Sequence, residues 1–174
     1  FRTDMMKEFI RRGYKVYAFD IFENNLLAGI NNQGLYISKN NGLDWELLGL
    51  DSIKISDIVV FDSTIFVSTF GVGIYQSNDG GKTWINNGPP YRLIKALIRS
   101  GNNLIAGTQD GAYVSTDKGK TWKLQGIIDN DPINFATYEN IVFACSYSCV
   151  YISYNNGITW EYVPVNNYGS EFKS

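Results

Sequence analysis

All four tryptophans of this chain close the same eight-residue phrase. It reads Ser38-Lys39-Asn40-Asn41-Gly42-Leu43-Asp44-Trp45, then Ser77-Asn78-Asp79-Gly80-Gly81-Lys82-Thr83-Trp84. It returns as Ser115-Thr116-Asp117-Lys118-Gly119-Lys120-Thr121-Trp122 and as Ser153-Tyr154-Asn155-Asn156-Gly157-Ile158-Thr159-Trp160. The tryptophans stand 39, 38 and 38 residues apart. A fixed period near 40 marks a repeat architecture, and it fixes the reading of everything between the phrases.

The third repeat shows what one unit contains. Ile94 to Ile98 is a short apolar run, Leu104 to Gly107 a second, and Ala112 to Ser115 a third. Thr121 to Leu124 reads as a fourth strand after the loop of the phrase. Turn signals separate the runs every 8 to 10 residues, the spacing of short antiparallel strands. Second strands are expected at Leu26–Gly29, Ile65–Ser68, Leu104–Gly107 and Val142–Cys145. Third strands are expected at Leu35–Ser38, Ile74–Ser77, Ala112–Ser115 and Val150–Ser153. Gly34, Gly73 and Gly111 share a turn position that calls for positive φ, where the last repeat carries Cys149.

A lone four-stranded sheet cannot bury both faces. Radial stacking buries them, which makes a β-propeller; a solenoid coil would carry fewer strands per repeat. The expected fold is all-β, four blades of four antiparallel strands, forming a complete or a partial propeller. The blades fall at about 15–50, 51–89, 90–127 and 128–165, with a tail over 166–174. Four blades sit at the small end of closed propellers, so the arc either closes, stays open as part of something longer, or pairs with a second copy. The absence of an initial Met points to an excerpt.

The phrase resembles the Asp-box, or BNR repeat, with consensus Ser-x-Asp-x-Gly-x-Thr-Trp. Four copies in phase cover residues 15–165; Asn40 and Asn155 replace Asp, and Asp44 replaces Thr. The resemblance implies a sialidase-like propeller, a family that includes sialidases, xyloglucanases, sortilin-type receptor domains and photosystem II assembly factors. In these propellers the phrase joins strands three and four on the face away from the ligand. Its chemistry is structural. Asp or Asn accepts backbone N–H groups as in an Asx-turn, Gly takes a left-handed backbone, and Trp buries a large apolar body. One carboxylate per loop is too few for calcium, so no metal and no cofactor are expected.

Function is then sought on the opposite rim, where loops differ between repeats. One loop set joins strands two and three; the other joins successive blades. They carry Gln33, Phe70, Tyr91, Arg92, Gln109, Asp110 and Tyr147. Aromatics beside amides could stack on sugars or anchor a peptide. The bland alternative is ordinary polar loops. Glycosidase chemistry needs two facing carboxylates, and Asp51, Asp57, Asp110, Asp129 and Asp131 offer no pair singled out by spacing. Arg92 is the one arginine in an expected rim loop, against the three a sialidase uses.

Net charge of −2 argues against nucleic acid, and no apolar run has the length of a membrane span. The chain has no histidine, the commonest general base and zinc ligand. Residues 1–14 fall outside the repeat. Asp4 as N-cap, apolar Met5, Met6, Phe9 and Ile10, and a stop at Gly13 describe a short helix. Phe1 to Asp20 is similar to the opening of GT-B glycosyltransferases, without a sugar-nucleotide motif to follow. Cys145 and Cys149 flank a hairpin turn, which suits either a disulfide or two small core residues. The expected function is a non-catalytic binding scaffold for protein or carbohydrate, at the cell surface or outside it. A glycoside hydrolase and an assembly factor docking on a membrane complex are the alternatives.

Overall fold

The computed structural model describes residues 16–89, 93–126, 134–146 and 149–163. The expected helix over 1–14 and the tail lie outside these residues, as do Tyr91, Arg92, Asp129, Asp131 and Tyr147. Sixteen strands form four separate antiparallel sheets, each in simple chain order. Blade 1 holds β1 (Val16–Phe22), β2 (Asn25–Ile30), β3 (Gly34–Ser38) and β4 (Glu46–Gly49). Blade 2 holds β5 (Ile55–Phe61), β6 (Thr64–Thr69), β7 (Ile74–Ser77) and β8 (Ile85–Asn86). Blade 3 holds β9 (Ala96–Ser100), β10 (Asn103–Thr108), β11 (Gly111–Ser115) and β12 (Lys123–Leu124). Blade 4 holds β13 (Asn134–Tyr138), β14 (Ile141–Cys145), β15 (Val150–Ser153) and β16 (Glu161–Val163). These are blades of a β-propeller.

Strand alternation gives every blade two apolar faces, because successive side chains point opposite ways. One face meets the preceding blade and the other meets the following blade. Leu27, Leu35 and Ile37 of blade 1 pack on Ile55, Ile58, Ile65 and Val67 of blade 2. Phe61, Phe66 and Ile74 pack on Leu97, Leu104, Ala106 and Tyr113. Ile105, Ala112 and Val114 pack on Val142, Ala144 and Tyr151. The first strands line up in sequence, β1 on β5, β5 on β9 and β9 on β13. Side chains tie two of these joints: Asp20 Oδ2 accepts the Val60 N–H at 2.7 Å, and Asp57 Oδ2 accepts the Leu97 N–H at 3.0 Å.

Local rules explain where strands begin and end. β1 runs to Phe22, beyond the apolar run ending at Phe19, because Ile21 and Phe22 still pair with Leu26 and Asn25. Glu23 and Asn24 make the two-residue turn with φ of 47° and 66°, the type I′ geometry that suits twisted hairpins. The fourth strand of blade 3 starts at Lys123 rather than at Thr121. Thr121 and Trp122 are already committed to the Asp-box loop through Asp117 and Gly119. Ile94 likewise precedes β9, because its N–H reaches across to Thr69 O at 3.3 Å.

The cysteine pair departs from the disulfide expectation: both thiols are free. Cys145 pairs across the ladder with Val150, so strand alternation turns Cys149 toward the other face. Cys149 is buried, with Sγ 2.8 Å from Ser146 Oγ. A thiol-specific reagent is therefore expected to label Cys145 within seconds and Cys149 only after denaturation. Equal, slow labelling of both would contradict this placement.

Each blade joint also has a close approach at the Asp-box glycine. A Cβ at Gly119 would lie 2.7 Å from the Phe66 ring, and one at Gly157 would lie 2.6 Å from Ile105 Cδ1. At Gly81 the neighbour is Leu48, at 2.6 Å. These glycines have φ of 81° to 88°, a region that disfavours any side chain. Gly119→Ala combines left-handed strain with overpacking and should destabilise by about 2–4 kcal/mol. Urea denaturation measures this, and a change below about 0.5 kcal/mol would contradict the packing described.

Candidate functional site

The Asp-box loops come first, because they fix one face of every blade. In each, the Ser Oγ accepts the Gly N–H four residues on, at 2.8 Å for Ser38, Ser77 and Ser115 and 2.9 Å for Ser153. That Ser also donates to the Asx Oδ1, at 3.1 Å to Asn40, 2.8 Å to Asp79, 2.8 Å to Asp117 and 3.0 Å to Asn155. The same Oδ1 takes the N–H of Asp44, Thr83, Thr121 or Thr159 at 2.8–2.9 Å. The residue before each glycine (Asn41, Gly80, Lys118, Asn156) is left-handed too, which the consensus alone does not announce.

The departures from consensus preserve donor–acceptor matching. Thr83 and Thr121 donate to the second carboxylate oxygen of Asp79 and Asp117, both at 2.6 Å. In blade 1 the roles reverse: the Asn40 amide donates to Asp44 Oδ2 at 2.8 Å. In blade 4 the Asn155 amide donates to Thr159 Oγ1 at 2.9 Å. Trp45 and Trp122 return Nε1–H to Gly42 O and Gly119 O, and Trp122 also reaches Asn87 O of blade 2 at 2.8 Å. Trp84 and Trp160 bury Nε1 without a partner. Among the described residues no group of three or more acidic or sulfur ligands could hold a metal.

Hydrogen bonds set the carboxyl chemistry here. The Thr83 hydroxyl, its N–H and the Ser77 hydroxyl hold Asp79 at about 2, below its ordinary 3.8. Burial pushes Asp117 upward, but the Thr121 and Ser115 bonds outweigh it and bring it to about 2. A folded value below the unfolded one contributes stability above pH 4 that is lost as pH falls toward 2. The double substitution Asp79→Asn, Asp117→Asn keeps an acceptor and, as Asn155 shows, supplies an amide donor. It should leave the melting temperature at pH 7 within a few degrees while flattening its fall between pH 4 and 2. An unchanged acid slope would show that other carboxylates control it.

On the opposite rim, hydroxyls close the loops between second and third strands. Thr69 Oγ1 donates to Gly73 O at 2.8 Å and takes the Val72 N–H. Thr108 Oγ1 donates to Gly111 O at 2.9 Å and takes the Asp110 N–H. Ser146 Oγ bridges to the Cys149 backbone in the same position. Gly34, Gly73 and Gly111 have φ of 92°, 91° and 123°. Sequence reasoning missed these hydroxyls, although Thr69, Thr108 and Ser146 occupy one place in the repeat. Blade 1 has Ile30 there; its turn closes through Gln33 N to Ile30 O, and Asn31 Oδ1 is buried without a partner.

The closed loops leave Gln33, Gln109 and Asp110 exposed on blades 1 and 3. Phe70 of blade 2 is 37% exposed, and the neighbouring Val72 is 44% exposed. Phe70 joins two further segments: its N–H bonds Lys54 O at 3.0 Å, and it forms a β-bridge with Leu93. Lys54 Nζ lies 4.3 Å from the centre of its ring. The structure thus unites Phe70, Lys54 and Leu93 at one point of the rim, while Gln33 and Gln109 with Asp110 stand on separate blades. Of the rim acids, Asp51 is exposed and Asp57 lies near the start of β5. Burial raises Asp57, against the N–H bonds from Leu97 and Ile58; Asp20 pushes it the same way as burial. Both Asp57 oxygens are engaged by those N–H groups.

Comparison with known proteins agrees with this architecture. The family described as the DUF6242 beta propeller domain matches residues 49–148, and the BNR/Asp-box repeat matches 151–162. No curated protein matches in sequence. The computationally designed protein Ika4 is similar in structure, with 16% identity, 81% of this chain and 91% of that chain covered, and a TM-score of 0.66. YCF48 from Cyanidioschyzon merolae has 14% identity, 87% and 56% coverage and a TM-score of 0.68; a structure of YCF48 bound to D1 peptide is also similar, with a TM-score of 0.64. An ancestral GH74 enzyme has 22% identity, 86% and 24% coverage and a TM-score of 0.70. The chain thus spans about half of YCF48 and a quarter of the GH74 enzyme.

Proposed function

This chain belongs to the DUF6242 β-propeller family, and from that premise we propose that it is a non-catalytic scaffold binding a protein segment on the rim opposite its Asp-boxes. The observation that carries the reading is Phe70. A partly exposed aromatic ring beside Lys54 Nζ, on a backbone bridged to Leu93 and a loop closed by Thr69, is a preorganised apolar anchor with polar neighbours. The likeness to a propeller solved with a peptide supports a protein ligand. Docking on a membrane complex would be one form of the same activity; no helix among the described residues is long and apolar enough to cross a membrane. Location outside the cell rests on family association, since both thiols are free.

A carbohydrate ligand or glycoside hydrolysis is the second reading, favoured by the likeness to GH74 propellers and by the raised carboxyl of Asp57. Against it, Asp57 spends both oxygens on backbone N–H groups, and Asp20, the carboxylate that acts on it, likewise gives its oxygens to the N–H groups of Ile21 and Val60.

Peptides selected from a displayed library on this protein should bind wild type at least tenfold more tightly than Phe70→Ala, a difference of about 1.4 kcal/mol. Substitution of the exposed Lys120, on the Asp-box side of the molecule, should leave that affinity unchanged. Turnover of xyloglucan or a sialoside that Asp57→Asn abolishes would overturn the scaffold reading.

A further inference from the structure

The tripeptide Asn-Asn-Gly occurs three times, ending at Gly42, Gly88 and Gly157. An Asn-Gly pair carries a reaction of its own. The glycine backbone nitrogen attacks Cγ of the asparagine amide, and glycine is the residue that shields this nitrogen least. The new N–Cγ bond closes a five-membered succinimide. The Cγ–Nδ2 bond breaks, and the amide leaves as ammonia with the proton that the glycine nitrogen gave up. Water then opens the ring at either carbonyl, leaving aspartate or isoaspartate. The asparagine side chain and the peptide after it must rotate toward each other for this to happen. In a folded chain the bonds that hold those two groups therefore set the rate.

The repeat puts two of the pairs in one place. Asn41 and Asn156 both precede an Asp-box glycine, with φ of 58° and 54°. Both glycines donate N–H to the serine four residues earlier, at 2.8 Å and 2.9 Å. There the likeness ends, because Asn156 is a clasp between blades 3 and 4. Its Oδ1 accepts the Ser100 hydroxyl at 2.9 Å, and its carbonyl accepts the Asn103 amide at 3.0 Å. Its own N–H donates to Asn140 O at 3.0 Å.

Asn87 is half-buried and tied as well. Its N–H donates to Ile74 O at 3.0 Å, and its carbonyl accepts the Trp122 indole N–H at 2.8 Å. Gly88 lies against blade 2, where a Cβ would come within 2.7 Å of Ile74 N. Asn41 has none of these restraints. It is exposed, and among the described residues no hydrogen bond reaches its side chain or its carbonyl. The bond from Gly42 N–H to Ser38 Oγ is what holds the peptide that must turn.

We propose that Asn41 is a site of spontaneous covalent modification, deamidated through a succinimide on Gly42 in the folded protein, while the blade contacts of Asn87 and Asn156 keep those two intact. Isoaspartate adds a methylene to the backbone between Ser38 and Gly42, so the modified chain loses the bond that closes its first Asp-box. The proposal does not rest on the rim reading, and either can fail alone.

The test is peptide mapping by mass spectrometry after incubation in mildly alkaline buffer, with and without denaturing urea. In urea the three sites should convert at like rates, because the local sequence is the same. In the folded protein Asn41 should convert at least about tenfold faster than Asn87 or Asn156, which must break further hydrogen bonds first. Ser100→Ala removes one hold on Asn156 and should speed that site alone; an unchanged Asn87 separates local release from general unfolding. Asn41→Gly, which places at 41 the residue that blade 2 carries as Gly80, should remove the acidic species and keep the circular dichroism of the wild type. Equal rates at Asn41 and Asn156 in the folded protein would overturn the proposal. So would an Asn41 that stays an amide in the folded protein over the time in which all three sites convert in urea.

Discussion

The glycine that ends each Asp-box turn does two jobs with one missing atom. Its N–H closes the loop onto the serine four residues earlier, which requires a left-handed backbone. Its missing Cβ leaves the space into which the preceding blade inserts Leu48, Phe66 or Ile105. Loop closure and blade stacking are therefore one constraint. Any side chain at that position strains the turn and displaces a core residue of the neighbour at the same time.

This coupling explains why the Asp-box face is uniform while the rim varies. On the Asp-box face, the serine hydroxyl and the Asp or Asn side chain of each phrase are spent inside the loop. Asp79 and Asp117 are so fully engaged by hydroxyl and amide donors that their carboxyls ionise near 2. The rim uses a different closure, a hydroxyl at the end of the second strand, and that closure ties the backbone while releasing the loop's own side chains. Phe70 and Val72 face outward on such a loop.

Propeller blades also turn sequence repetition into geometry. An identical joint is used three times, and one position on its inner face is held in turn by Leu27, Phe66 and Ile105, all buried. The same arithmetic governs Asp20 and Asp57. Each sends a carboxylate to the next blade's first strand, and blade 3 has Ala96 where blade 2 has Asp57. The inner line of the arc is thus tied unequally along its length.

The period of the phrase and the alternation within each repeat determined the four sheets, their second and third strands, and the left-handed turn glycines. Those features depend on contacts within about 40 residues, so local pattern carries them. The sequence could not decide three other matters. The anchoring of the Trp122 ring depends on its Nε1–H reaching Asn87 of another blade. The state of the cysteines depends on ladder register, which places Cys145 opposite Val150. The rim anchor depends on Phe70, Lys54 and Leu93 meeting from three segments. In each case the deciding partner lies on another strand or another blade, and only the folded chain brings it within bonding distance.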